Sequence, residues 1–149
     1  MPQRCYAPAH SSLQEILTYP SQITTEESSL YLAELLGEVG LEKLILKLYD
    51  KSPFEFAKIS PGEQQRLCWV RLLYHKPSVV FLDESTSHLD NHIERRLYQR
   101  LIELRATFIS IGHRDSIRVH HSYCLNINYN KRFFFLSCEQ RMCHRFQSV

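Results

Sequence analysis

Apolar positions follow one rhythm in the first third of the chain and another after residue 60. Through residues 11–50 the spacing is helical. Ser11 and Ser12 lead into Leu13, Ile16 and Leu17, a short helix over 11–19 that stops near Pro20. Thr24-Thr25-Glu26-Glu27 offers a capping box, in which a threonine side chain takes an orphan N–H and Glu27 reaches back. Leu30, Ala33, Leu35, Leu36 and Val39 then supply one apolar helix face, with Gly37 and Gly40 placed to end or break it. Leu41, Leu44, Ile45 and Leu48 mark another short helix. This block is helical and carries no strand signal.

Phe54 and Phe56 lie in a connector leading to Ser60. Ser60 is a good N-cap, Pro61 fits a first helical turn, and Glu63 completes a second capping box. The helix they open runs to about Tyr74, where His75 and Lys76 suit its C-terminal end and Pro77 stops it. Residues 79–82 form a continuous apolar strand, of the kind buried on both faces in a parallel sheet. Asn91-x-x-Glu94 caps a helix carrying Ile93, Leu97, Leu101 and Leu104, and residues 107–111 form a second buried strand. Strand, helix and strand with a short return make one right-handed crossover unit. Residues 124–128 and 132–136, flanking Tyr129-Asn130-Lys131, predict an antiparallel hairpin. Residues 138–149 are polar and read as a loose helix or tail.

Composition narrows the class. A chain of 149 residues fits one domain, and 44% hydrophobic with 23% charged residues describes a soluble globular protein rather than a disordered one. A net charge of +2 is too small to argue for nucleic acid or an anionic membrane surface. The apolar runs at 78–82 and 133–136 fall far short of the about 20 residues that cross a bilayer. The first six residues lack the apolar core of a secretion signal, which places the chain inside the cell. Five cysteines, an odd count without a Cys-x-x-Cys pair, argue against a disulfide framework and suit a reducing compartment. Cys138, Cys143 and His144, the i, i+4 pair His88 and His92, and His120-His121 form no complete ligand set at familiar spacing. They read as ordinary surface and tail residues.

Two places carry chemistry. Asp83 and Glu84 end a buried strand and face the crevice where α/β sheets bind ligands. Asp83 suits a hard cation such as Mg²⁺, directly or through water. Glu84 suits a general base that polarises an attacking water. Taken alone, an Asp-Glu pair is more often two solvated acids. Ser60 and the N–H groups of Gly62 and Glu63 make a positive-ended helix start suited to phosphate. Simple capping would use the same residues fully. No Gly-x-x-x-x-Gly-Lys-Ser/Thr loop occurs anywhere, and the chain has only four glycines.

Order and spacing remove much of this ambiguity. Gln3, then Ser60-Pro61-Gly62-Glu63-Gln64-Gln65-Arg66, Leu82-Asp83-Glu84, Ser87-His88-Leu89-Asp90 and Gly112-His113-Arg114 follow one another at natural distances. The succession resembles the nucleotide-binding domain of ABC transporters, whose corresponding elements are the Q-loop, signature motif, Walker B, D-loop and switch histidine. It covers roughly residues 1–137. The Ser-Pro-Gly-Glu-Gln-Gln-Arg form, Pro2-Gln3-Arg4-x-Tyr6 and Ile109-Ser110-Ile111-Gly112-His113-Arg114 are similar to the subfamily D type. That group includes peroxisomal fatty acyl-CoA and lysosomal cobalamin transporters and bacterial fused permease–ATPase relatives.

The resemblance implies an α/β fold: a partial P-loop NTPase (RecA-like) parallel sheet with a helical subdomain, its Walker A half absent. Residues 1–10 would be the Q-loop, 11–76 the helical subdomain with the signature, 77–137 the Walker B, D-loop and switch-histidine core, and 138–149 a tail. ATP and Mg²⁺ are the implied cofactors. Asp83 would hold Mg²⁺, Gln3 would contact Mg²⁺ or its water, Glu84 would orient the lytic water, and His113 would touch the γ-phosphate. Ser60, Gly62 and Glu63 would close over ATP held by a second ABC ATPase domain, with Asp90 on the same seam. Further implied partners are a transmembrane permease domain and no nucleic acid, at the cytoplasmic face of a membrane.

Departures from the pattern matter as much. The family's phosphate loop and its adenine-stacking aromatic precede the Q-loop, so the resemblance reads this chain as the C-terminal part of such a domain, from a truncated gene, a misplaced start or a split protein. Residues 1–149 alone are then expected to lack useful ATPase activity, and residues 107–111 to present an open strand edge. Cys5 stands where the family often has proline, Cys68-Trp69-Val70 where smaller residues are usual, and His88 where alanine is common. Two other readings compete: a non-catalytic partner lending its signature helix to a complete ATPase, and a soluble non-transport ABC ATPase.

Overall fold

The computed structural model describes residue 1 and residues 5–21, 25–127 and 133–138. They fall into two compact units, Met1–Gly112 and His113–Val149.

The first unit opens with α1 (Leu13–Thr18), capped by Ser12 in a box closed by Glu15, with Leu13, Ile16 and Leu17 buried. In α2 (Glu26–Glu38) the cap is Thr25, and Ser28 rather than Glu27 reaches back, its hydroxyl accepting the Thr25 N–H at 2.8 Å. Choosing the second threonine as cap moves the reciprocal position one residue along. The buried stripe is Leu32, Leu35, Leu36 and Val39, whereas Leu30, expected on it, is 59% exposed. Two residues of helix turn about 200°, so Leu30 and Leu32 cannot share a face. Gly40 supplies the positive φ of 69° that ends the helix, and the Leu41 N–H closes back on the Leu36 carbonyl. A 3₁₀ turn, Glu42–Leu48, follows and buries Leu44 and Leu48.

Helix α3 (Pro61–His75) behaves as its ends predict, with Ser60 as N-cap, Glu63 closing the box and Lys76 in the left-handed region as C-cap. It packs against α1 and α2 and touches α4 (Asn91–Glu103). The cap of α4 is Asp90, not Asn91: its carboxylate accepts from His92 and Ile93, both at 2.9 Å. Glu94, expected to close a box with Asn91, is buried.

Strands β1 (Val79–Asp83) and β2 (Thr107–Ile111) pair in parallel, Val79 opposite Thr107 and Asp83 opposite Ile111, with α4 as the crossover. Burial of both strands on both faces does not hold among the described residues. Val80 and Leu82 are buried, while Phe81 is 64% and Ile111 65% exposed, and Val79 and Ile109 are exposed with them. The covered face is the one α4 reaches: the Tyr98 ring lies 5.6 Å from Phe108, and its hydroxyl pairs with Ser110 at 2.9 Å. On the edge of β1 away from β2, the Met1 backbone accepts from the Asp83 N–H at 3.0 Å and donates to the Phe81 carbonyl.

The second unit holds a 3₁₀ turn, Asp115–His120, and strands β3 (Tyr123–Ile127) and β4 (Phe133–Ser137). The strands pair antiparallel, Tyr123 opposite Ser137 and Ile127 opposite Phe133, which bears out the expected hairpin. Its connection, 128–132, and the tail from 139 onward lie outside the described residues. The whole is a mixed α/β structure whose parallel sheet has two strands among those residues.

Candidate nucleotide site

The site is built at the C-terminal end of β1 and the N-terminal tip of α3. The tip faces outward: Ser60 and Pro61 are exposed and Gly62 is half-buried. Ser60 Oγ accepts the Glu63 N–H at 3.3 Å, and Glu63 Oε2 accepts from the Ser60 N–H at 2.9 Å and its hydroxyl at 2.8 Å. Lys43 Nζ lies 2.5 Å from the other carboxylate oxygen. That ammonium and then the Ser60 hydrogen bonds hold the Glu63 carboxyl at a pKa of about 2. Glu63 is therefore anionic and committed to its own helix start, and its N–H already has an acceptor.

Glycine at position 62 answers a steric demand. A Cβ there would stand 3.0 Å from the His88 carbonyl oxygen, in the turn after β1. The helix tip and this turn thus approach closely enough that a side chain between them would be crowded. Gln65, one turn further along α3 and buried, ties them polar to polar. Its Nε2 donates to Ser87 Oγ at 2.9 Å and to the Glu84 carbonyl at 3.2 Å, and its Oε1 accepts the His88 N–H at 3.0 Å. Trp69, a turn beyond, donates its indole N–H to the Ser85 carbonyl at 2.9 Å.

These bonds converge on a strained corner. Glu84 has φ +44°, left-handed backbone unusual for a non-glycine residue. Its N–H is held by the Ile111 carbonyl at 2.9 Å, and its own carbonyl accepts from the Ser87 N–H at 3.1 Å as well as from Gln65. The corner takes the chain out of the sheet and leaves the Asp83 side chain exposed at the strand end. Asp90, four residues past Thr86 in the same turn, spends its carboxylate on the α4 cap; the Ile93 N–H first of all holds its pKa below the usual value.

Ser60, Gly62, Glu63, Asp83, Glu84 and Asp90 therefore belong to one connected surface of the first unit. Gln3 lies outside the described residues, and His113, exposed, opens the second unit. Sequence reasoning passed over Gln65 and Trp69 as connectors. A tryptophan on an apolar helix face, with an indole N–H in need of an acceptor, was the available signal. Among the described residues no group of three or more His, Cys, Asp or Glu is placed to hold a metal unaided, and no helix is long and apolar enough to cross a membrane.

A parallel β–α–β unit whose first strand ends at paired acids, wired to a capped glycine-bearing helix tip, is of the P-loop NTPase class of the ABC kind. The ABC transporter family model matches residues 3–87, and the chain belongs to that family. ATPase domains of this family use ATP and Mg²⁺ in general. An ABC transporter ATP-binding protein of Synechocystis is 36% identical over 135 residues, covering 89% of this chain and 20% of the relative. ABC transporter D family member 3 of Dictyostelium discoideum is 43% identical over 77 residues, 52% of this chain and 10% of that protein. The human lysosomal cobalamin transporter is 46% identical over 69 residues, 46% of this chain and 11% of that protein. The chain thus spans about a fifth or less of these relatives. In fold it matches a bacterial Atm1-family ABC exporter with ATP bound, at TM-score 0.74 and 20% identity, over 95% of this chain and 25% of that one.

Proposed function

We propose that this chain is the signature-helix and Walker B portion of an ABC transporter's ATP-hydrolysing domain, a partial RecA-like sheet with its helical subdomain. The observation that carries the reading is the Gln65 network, which makes the Gly62 tip and the Asp83-Glu84 strand end one rigid wall. In a two-domain sandwich each triphosphate is gripped by the strand end of one domain and the helix tip of the other, so fixing the two elements to each other within a chain couples its own site to its partner's.

The residues present fit half of the cofactor's needs. Asp83 offers an exposed hard oxygen at the strand end, which suits Mg²⁺ that takes one or two carboxylates with water and phosphate oxygens. Its role is to hold that ion, and Gln3 is assigned contact with the ion or its water from the family pattern alone. Glu84 orients the attacking water, His113 contacts the γ-phosphate, and Ser60, Gly62 and Glu63 face the nucleotide of a second ATPase domain across a seam that includes Asp90. ATP with Mg²⁺ supplies the phosphoryl group whose transfer drives transport. Backbone N–H groups and a lysine provide most of the anchoring for β- and γ-phosphates, and no Gly-x-x-x-x-Gly-Lys-Ser/Thr loop exists within the 149 residues. Residues 1–149 by themselves therefore bind ATP weakly and turn it over negligibly. In the complete assembly the domain sits at the cytoplasmic face of a membrane against a permease domain.

A chimera tests this. The phosphate-loop half of the Synechocystis relative is joined ahead of residue 1, and Mg²⁺-dependent phosphate release is measured. Hydrolysis by the chimera, reduced about 10²-fold or more by Glu84→Gln, is the expected result. A Glu84→Gln chimera as fast as its parent removes Glu84 from the reaction. Micromolar ATP affinity in the unfused chain overturns the claim that it binds weakly.

A further inference from the structure

A phosphate needs donors, and the tip of α3 has few left to give. The Ser60 N–H and hydroxyl both donate to Glu63 Oε2, Pro61 has no N–H, and the Glu63 N–H is spent on Ser60 Oγ. The Gln64 N–H turns back to the Ser60 carbonyl. Among these residues the Gly62 N–H is what remains of the first turn's orphan donors. Beside Gly62 stands His88. Its Cβ lies 3.9 Å from where a Cβ at 62 would be, and its side chain is exposed. It also occupies a position where the ABC pattern commonly has alanine.

The hydrogen bonds that reach this ring run in one direction. The His88 N–H can only donate and the Glu84 carbonyl can only accept. Together they fix the Gln65 amide, its oxygen toward the first at 3.0 Å and its nitrogen toward the second at 3.2 Å. That nitrogen also donates to Ser87 Oγ at 2.9 Å. Ser87 Oγ in turn lies 3.1 Å from His88 Nδ1, and the single proton of its hydroxyl is the one it has to give. Nδ1 is then an acceptor, and Nε2 carries the hydrogen of the neutral ring.

We propose that His88 is a further phosphate-binding residue of the nucleotide site, adding its Nε2–H to the Gly62 tip, with Ser87 and buried Gln65 as positioning residues that set its tautomer. The ligand group is the triphosphate of an ATP held by a second ATPase domain. This inference rests on the nucleotide reading above and deepens it. An imidazole N–H adds a donor for a phosphate oxygen that alanine lacks. The opposite tautomer would turn a lone pair toward the anion instead. Which ring nitrogen bears hydrogen is decided by the bond the other one makes, and here that decision traces back to one buried amide held by two main-chain groups.

Two measurements test the two parts. The full chain is labelled with ¹⁵N histidine and long-range ¹H–¹⁵N spectra are recorded at mildly alkaline pH, with His88 assigned by the signals lost in His88→Gln. The expected pattern is a pyridine-like Nδ1 and a pyrrole-like Nε2, which Ser87→Ala should move toward the averaged values of a free imidazole. An Nδ1–H pattern, or one that Ser87→Ala leaves in place, overturns the proposal whatever the nucleotide does. The phosphate-loop chimera is then assayed for Mg²⁺-dependent hydrolysis. His88→Ala should raise KM for ATP about tenfold, more than it lowers kcat, and His88→Gln, which keeps an N–H, should lie nearer the parent. An unchanged KM in His88→Ala, in a chimera that Glu84→Gln silences, overturns the role of His88 alone. Hydrolysis indifferent to Glu84→Gln overturns the nucleotide reading beneath it, and this proposal with it. His88 is exposed, so neither substitution at 88 opens the core.

Discussion

The indole N–H of Trp69 donates to the main-chain carbonyl of Ser85 at 2.9 Å, inside a core where Trp69 is fully buried. The bond runs from the middle of α3 to the turn after β1, and the Tyr98 ring of α4 closes the site edge-on at 5.9 Å. Trp69→Phe keeps most of the packing and strands a buried carbonyl, so a loss of about 1–3 kcal/mol is expected in urea unfolding followed by circular dichroism. As the single tryptophan of the chain, Trp69 also reports on this contact directly. Its emission should be blue-shifted in the folded protein and move to the solvent value in one step with the helical signal.

Gln65 is the more informative target for function. Gln65→Leu fills the space but leaves the His88 N–H without its acceptor and removes a donor from the Glu84 carbonyl. The expected result is a loss of about 1–3 kcal/mol, together with amide exchange at Ser87 and His88 accelerated about tenfold or more. If exchange at these two amides is unchanged, the turn is held by other contacts.

Acid should loosen the tip of α3. Folding depresses the Glu63 carboxyl from 4.5 to about 2, chiefly through Lys43 and then Ser60. A carboxylate whose pKa falls on folding contributes fully above its unfolded value and loses the contribution as pH drops through the folded one. The melting temperature is therefore expected to fall between pH 4.5 and about 2. Glu63→Gln should flatten that slope in part, as should Lys43→Met. Complete flattening is not expected, since the Glu15 and Asp90 carboxyls are held down in the same direction by their own caps.

The bare face of the parallel sheet sets up a fourth expectation. Phe81 and Ile109 are register neighbours, both exposed, with Val79 and Ile111 extending the apolar strip. A contiguous exposed strip of this kind drives self-association. Replacing Phe81 and Ile109 by threonine should lower light scattering and dye binding by the isolated chain. Stability should stay within about 0.5 kcal/mol per site, because neither side chain is buried.

What the sequence made legible was local. The Ser60 and Glu63 box, the Pro77 stop and the two apolar hairpin strands depend on neighbours a few residues away, and each is present. Burial of β1 on both faces was not legible, because it depends on what packs there, and α4 covers one face only. Leu30 and Asn91 were misplaced by one or two positions, enough to turn a side chain out of the core or a cap into a first helical residue. The candidate acids are proposed from order and spacing, whereas Gln65 reaches partners 19 to 23 residues away and needed three dimensions to be seen.

Gly62 and the His88 carbonyl leave little room for a side chain, since a Cβ at 62 would stand 3.0 Å from that oxygen and the loop would have to give by a few tenths of an ångström. A bulkier residue at 62 presses on the His88 carbonyl, two residues before the α4 cap at Asp90. In evolutionary terms the two segments are shackled: a descendant of this chain can alter the apex of α3 only after, or together with, a rebuilt bend behind β1.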